Sequence, residues 1–171
     1  MKQSQYLIDL NSTIENLYSS VEFDAAQANL VLAFAERTTL DTLKPYAQLK
    51  QKFPNAAILL SSASGQISNC KLVEEQVVVT AIQFEHTPIK AIEIQVDPTH
   101  AKNYLGERVK NELVTNELTA LLVLSEGSYV NGTDLIEELR TETNHQIPIF
   151  GGIAGDGYLF EKTIVGLNRD A

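Results

Sequence analysis

The sequence predicts an α/β fold: a mixed β-sheet with flanking helices and an antiparallel pair in the middle of the chain. Three observations carry this. Short apolar runs of strand length recur along 171 residues that are 44% hydrophobic, enough to bury one sizeable core. Segments of helical period separate several of these runs. Two β-branched runs, Gln76 to Glu85 and Ile89 to Val96, follow each other directly across His86-Thr87-Pro88, so they are expected to pair antiparallel, which makes the sheet mixed rather than purely parallel.

Taken in order, Ile14, Leu17, Tyr18 and Val21 lie at helical spacing, and a short helical piece is expected near Asp24 to Ala28. Asn29 to Ala35 (NLVLAFA) is a buried strand. The next segment places Leu40, Leu43, Ala47 and Phe53 on one helical side. Pro45 is tolerated there only in a first turn or at a kink. Ala56 to Ser61 is a second apolar strand, and the small residues of SSASGQI follow it. Beyond the antiparallel pair, Asp97-Pro98 supplies a cap and a first-turn proline for a helix whose stripe is Ala101, Leu105, Val109 and Leu113. Thr119 to Ser125 is a strand, Asp134 to Thr143 a helix, and Ile147 to Phe150 and Lys162 to Leu167 are the last two strands. There is no internal repeat or linker, so one domain over residues 1–171 is expected.

Charge and composition exclude several partners. Thirteen basic against twenty-two acidic residues give a formal net charge of -9, which disfavours nucleic acid and anionic membrane. No uncharged apolar run approaches the about 18 residues that span a bilayer, and the N-terminus is not a signal peptide. Cys70 is the only cysteine, so neither an internal disulfide nor a CxxC motif exists, and a reducing cytoplasmic location fits.

Ligands of open α/β sheets bind outside the carboxyl ends of strands. Three loops are expected there: Ser61, Ser62, Ser64 and Gly65; Ser125, Glu126, Gly127, Ser128 and Asn131; and Gly151, Gly152, Gly155 and Asp156. Hydroxyls and backbone N–H groups without a dominant cation suit a small polar ligand. Such loops are also the ordinary material of turns. GGIAGDG lacks the GxGxxG order and runs into an apolar strand, so it is not a dinucleotide fingerprint, and GxxxxGK[ST], GxSxG and HExxH are all missing. A triad of Ser62, His145 and Asp156 can be drawn, as it can in any serine-rich chain. The reading is therefore non-enzymatic. His86, His100 and His145 are widely separated loop residues; no cofactor is expected, although one histidine suffices as an axial haem ligand.

Five segments together carry a family resemblance: Asn29 to Ala35, Leu60 to Ile67, Val77 to Phe84, Leu121 to Gly127, and above all IPIFGGIAGD followed by Thr163. In these the chain resembles the N-terminal FIST domain, from about Asn29 to the end. The family's GGxAGD motif falls on Gly151 to Asp156 without a mismatch. Its GCSTxGEI motif falls on Leu60 to Ile67, where Leu60, Ser61, Ala63 and Gln66 depart from it. The resemblance implies a sensory module of a signal-transduction protein that binds a small ligand, amino acids or related metabolites being the class proposed for the family. A haem-binding nitric oxide sensor, as in a subset of similar proteins, and an interaction module without ligand are the alternatives. It further implies a C-terminal FIST half and an output signalling protein as partners, with this chain an N-terminal half of the whole.

Overall fold

The computed structural model describes residues 1–96 and 104–170, which group into two compact units. The first comprises Met1–Ala91 and Gly155–Ala171, the second Ile92–Ala154. The first is built on a six-stranded sheet made by β1 (Lys2–Ile8), β2 (Ile14–Ser19), β3 (Leu30–Ala35), β4 (Ala57–Ser62), β7 (Val77–Gln83) and β10 (Val165–Leu167), in the order β10-β4-β3-β7-β1-β2. β3 and β4 are parallel and every other neighbour is antiparallel, so the sheet is mixed, as the sequence predicts. Val31, Ala33, Ile58, Leu60, Val77 and Val79 are among its buried residues. Helices α1 (Arg37–Leu43) and α2 (Tyr46–Lys52) follow β3. The break between them lies where Pro45 forbids a continuous helix: Lys44 closes α1 in the left-handed region at φ 44°, and Pro45 caps α2. Leu49 and Phe53 anchor α2, the Phe53 ring meeting Tyr6 edge-on at 5.5 Å.

Residues 14–19 are a strand, not the helix that their spacing suggests. The register of β2 against β1 passes from Gln5↔Tyr18 to Tyr6↔Asn16, leaving Leu17 as the extra residue of a β-bulge. A bulge breaks the two-residue alternation of a strand, so half-buried Ile14 and Leu17, three apart, mimic a helical period. The short helical piece near Asp24 is a 3₁₀ turn at Ala25–Gln27, capped by the Asp24 side chain on Ala26 N–H.

An antiparallel pair does lie in the middle of the chain, but it is the hairpin of β5 (Gln66–Ser68) and β6 (Lys71–Val73). Residues 89–96 form no strand. Both edges of β7 are already taken, by β1 and β3, and Ile94 and Val96 pack on the core of the second unit instead.

The second unit is a βαβ arrangement: β8 (Leu121–Ser125), α4 (Gly132–Glu142) and β9 (Ile149–Ile153), the two strands parallel, with α3 (Tyr104–Leu113) against α4. Leu105, Val130, Leu135 and Leu139 form its core, with Val109, Val123 and Ile149 packed on it. The expected cap at Asp97-Pro98, together with Ala101 and His100, lies outside the described residues. Among the described residues no helix is long and apolar enough to cross a membrane.

Candidate functional site

The glycine-rich run divides between the two units. Ala154 N–H donates to Ser125 C=O in the second, at 2.8 Å, while Gly155 N–H donates to Ser62 C=O in the first, at 3.1 Å. The two parts are therefore built by different neighbours.

In the first unit, Ser62 ends β4 with its hydroxyl fixed: Oγ accepts Ile164 N–H at 2.9 Å, and its backbone N–H donates to Ile164 C=O. Ser61 is buried beside it, paired with Val165. Gly155 lies so close to Ser64 that a Cβ there would fall 2.4 Å from the Ser64 hydroxyl, and that hydroxyl accepts Gly157 N–H at 3.2 Å. At Gly65, a Cβ would stand 3.0 Å from the Leu72 side chain. At Gly155 a side chain would meet both the hydroxyl and the backbone nitrogen of Ser64, so close approach requires a glycine, whereas at Gly65 the neighbour is only the tip of the Leu72 side chain.

Asp156 is the charged centre of this region, with a side chain only 4% exposed. Arg37, the first residue of α1, donates from Nε to Asp156 Oδ1 at 2.7 Å and from its terminal nitrogen to Glu161 at 3.0 Å. The second carboxylate oxygen of Asp156 accepts Glu161 N–H and Lys162 N–H at 2.9 and 3.0 Å. The Arg37 hydrogen bond and these amides hold the Asp156 carboxyl down at a pKa of about 2, against the opposing effect of burial, and Asp156 raises Arg37 in turn. Such a carboxylate is ionised and fully bonded at neutral pH. It serves as a clasp for the turn that follows it.

The second unit holds the remaining candidates. Asn131 caps α4, its side chain accepting Thr133 N–H and Asp134 N–H. The Glu126 carboxylate accepts three successive amides, Ser128 N–H at 2.7 Å and Tyr129 and Val130 N–H at 2.9 Å, and so shapes the loop leaving β8. Ser125 closes β8 opposite Ile153, its hydroxyl turned to Glu126 C=O. Gly151 has φ +134°, and a Cβ on it would fall 1.8 Å from Val123 C=O, a collision only glycine avoids. Gly152 is different: it is exposed, and nothing lies within 4 Å of the position its Cβ would take. Of the run's glycines explained by no close neighbour, Gly152 is the one within a strand. Its partner in the ladder is Leu124, and the pair two positions back, Leu122 and Phe150, is 43% and 60% exposed.

His86 and His145 are exposed and belong to neither core cluster, so neither offers the buried apolar surroundings that haem needs about an axial ligand. His100 lies outside the described residues. Cys70 is an exposed thiol in the β5–β6 turn.

Two residues essential to this geometry escape a reading by motif. Arg37 meets Asp156 across 119 positions of sequence, and no local spacing announces it. Glu126 stands in a candidate loop, but its part as an acceptor for consecutive amides depends on the loop's path. No curated protein and no solved structure matches the chain. The family model of the FIST N domain matches residues 29–171, which include both parts of the glycine-rich run and Arg37. The chain therefore belongs to the FIST N domain family, a family of sensory domains in signal transduction.

Proposed function

We propose that this chain is a non-enzymatic sensory domain binding a small polar ligand, with amino acids or related metabolites as the class, and that binding shifts its conformational population and so the state of an attached output protein. The ligand sits at the carboxyl ends of β8 and β9, against the backbone of Gly151 and Gly152 and the loop of Ser125, Ser128 and Asn131. The observation that carries this placement is Gly152, an exposed strand glycine with open space where its side chain would be, at the end of a parallel pair where α/β proteins hold ligands. Ser61, Ser62, Ser64, Gly65, Gly155 and Asp156 contribute by holding the first unit together: Ser61 and Ser62 are buried, Ser64 accepts Gly157 N–H, Gly65 and Gly155 allow close approach, and Asp156 is clasped by Arg37.

The absence of catalysis is part of the proposal. Asp156, the acid of the motif, is held at a pKa of about 2 by Arg37 and two amides, which suits neither a general base nor a general acid at neutral pH. A cytoplasmic setting agrees with the exposed free thiol of Cys70.

Thermal-shift measurement against a panel of amino acids and related metabolites tests the reading. A ligand at a hundredfold its dissociation constant stabilises by about 2.7 kcal/mol, a readily measured rise in melting temperature. Failure of every compound to raise it at millimolar concentration would contradict the reading.

A further inference from the structure

Three successive amides of the loop between β8 and α4 converge on one carboxylate. Ser128 N–H donates to Glu126 Oε2 at 2.7 Å, Val130 N–H donates to Oε1 at 2.9 Å, and Tyr129 N–H reaches both oxygens, at 2.9 and 3.2 Å. Consecutive N–H groups turned to one point form a nest, a concavity with the chemistry of an anion site. Here the chain itself supplies the anion. The N-terminal donors of α4 are no part of the nest, since the Asn131 side chain already accepts Thr133 N–H and Asp134 N–H.

Anchors other than its occupant hold the nest. On one side Ser125 ends β8, paired with Ile153, and its C=O accepts Ala154 N–H at 2.8 Å. On the other, Val130 belongs to the buried core of the second unit with Leu135 and Leu139, and Asn131 caps α4. Glu126 reaches its seat through two methylenes, so rotation of its own side chain vacates the seat while these anchors keep the amides in place. Ser128 and Tyr129 are exposed, which leaves the nest open to solutes.

Asp156 behaves differently. It also accepts two amides, but its side chain is 4% exposed and bonded to Arg37, so its release would break a largely buried ion pair. The half-buried Glu126 is bonded to amides of its own loop, donors that an incoming carboxylate can use equally well.

We propose that the amides of Ser128, Tyr129 and Val130 are the seat for a carboxylate of the ligand, and that Glu126 is a placeholder displaced when the ligand binds. The proposal rests on the sensory reading and names the group by which the ligand is gripped: two oxygens of a planar carboxylate, in place of the two oxygens of Glu126. A tethered competitor lowers the ligand's apparent affinity by the fraction of molecules in which the seat is vacant. It also couples occupancy of the seat to release of the Glu126 side chain, a change of state that binding imposes on the loop.

The test uses Glu126→Ala in the full chain, with acetate as the probe at constant ionic strength and amide chemical shifts as the readout. Acetate should shift the amides of Ser128, Tyr129 and Val130 saturably in the variant and raise its melting temperature, and should bind the wild type about tenfold or more weakly. Glu126→Gln, which keeps the length of the side chain but fills the seat with a neutral oxygen, should fall between the two, and it carries the test if the Ala variant does not fold. No saturable shift at these amides in a folded variant would overturn the proposal, as would equal acetate affinity in variant and wild type. Inorganic phosphate binding the variant more tightly than acetate would overturn the assignment to a carboxylate. The amino-acid panel on the wild type separates this proposal from the sensory reading. Acetate held by the variant with no amino acid held by the wild type supports the seat and contradicts that reading, whereas an amino acid stabilising the wild type with no acetate shift in the variant contradicts the seat alone.

Discussion

Asp156 is almost wholly buried, bonded to Arg37 and to two backbone amides, whereas Gly152, four residues before it, has nothing within 4 Å of the place a side chain would occupy. Both belong to one short motif, and they answer to different physical demands. The Gly155-Asp156 part is closed on itself: Gly155 N–H and both oxygens of the Asp156 carboxylate have partners inside their own unit, and glycine is needed because Ser64 stands too near for a Cβ. The Gly151-Gly152 part lies in a strand of which one glycine is demanded by Val123 and the other by nothing internal. A motif can thus hold a structural clasp and an open backbone side by side, and pattern alone does not separate them.

Substitutions sharpen the contrast. Gly151→Ala should be the most damaging, because a Cβ 1.8 Å from a carbonyl oxygen and a φ of +134° cannot both be relieved; a loss of about 3 kcal/mol or more is expected in chemical denaturation. Asp156→Asn comes next, lowering the melting temperature by more than Glu161→Gln does. Its pH signature is specific. Asp156 falls from an ordinary 3.8 to about 2 on folding, so its contribution is complete above about pH 4 and is lost as the pH falls toward 2. The stability of the Asn variant should depend less on pH across that window. Ser64→Ala, which strips Gly157 N–H of its acceptor, should cost about 1 kcal/mol by the same denaturation measurement. Gly152→Ala should change stability by no more than about 0.5 kcal/mol while weakening the stabilisation given by the ligand. A large loss of stability at Gly152 would erase the distinction between the two glycines.

Much of the fold is legible in the sequence where burial dictates the pattern. β3 and β4 are continuous apolar runs, Pro45 marks the break between α1 and α2, and Asn131 stands where α4 needs its cap. β1 is harder to read, since its buried face alternates Ser4 with Tyr6 and Ile8, and the polar first member hides the period. β2 is concealed by its bulge. The apolar run at residues 89–96 reads as a strand, but its would-be partner already has a neighbour on each side, which only the assembled sheet reveals. Within the candidate site the glycines and Asp156 are visible as a motif. Arg37 is not, because a partner 119 residues away is supplied by topology, in the parallel β3–β4 pair that brings the start of α1 to the end of β4.

The open backbone at Gly152, with Gly151 beside it, as the ligand's seat can be tested by recording amide chemical shifts of the full chain while an amino acid that raises the melting temperature is titrated in. Shifts should concentrate at Gly151, Gly152, Ser128 and Asn131 and leave the amides of Glu161 and Lys162, held by Asp156, nearly unmoved. Shifts centred on Gly155, Asp156, Glu161 and Lys162, with Gly151 and Gly152 unchanged, would contradict this placement and move the ligand to the clasp.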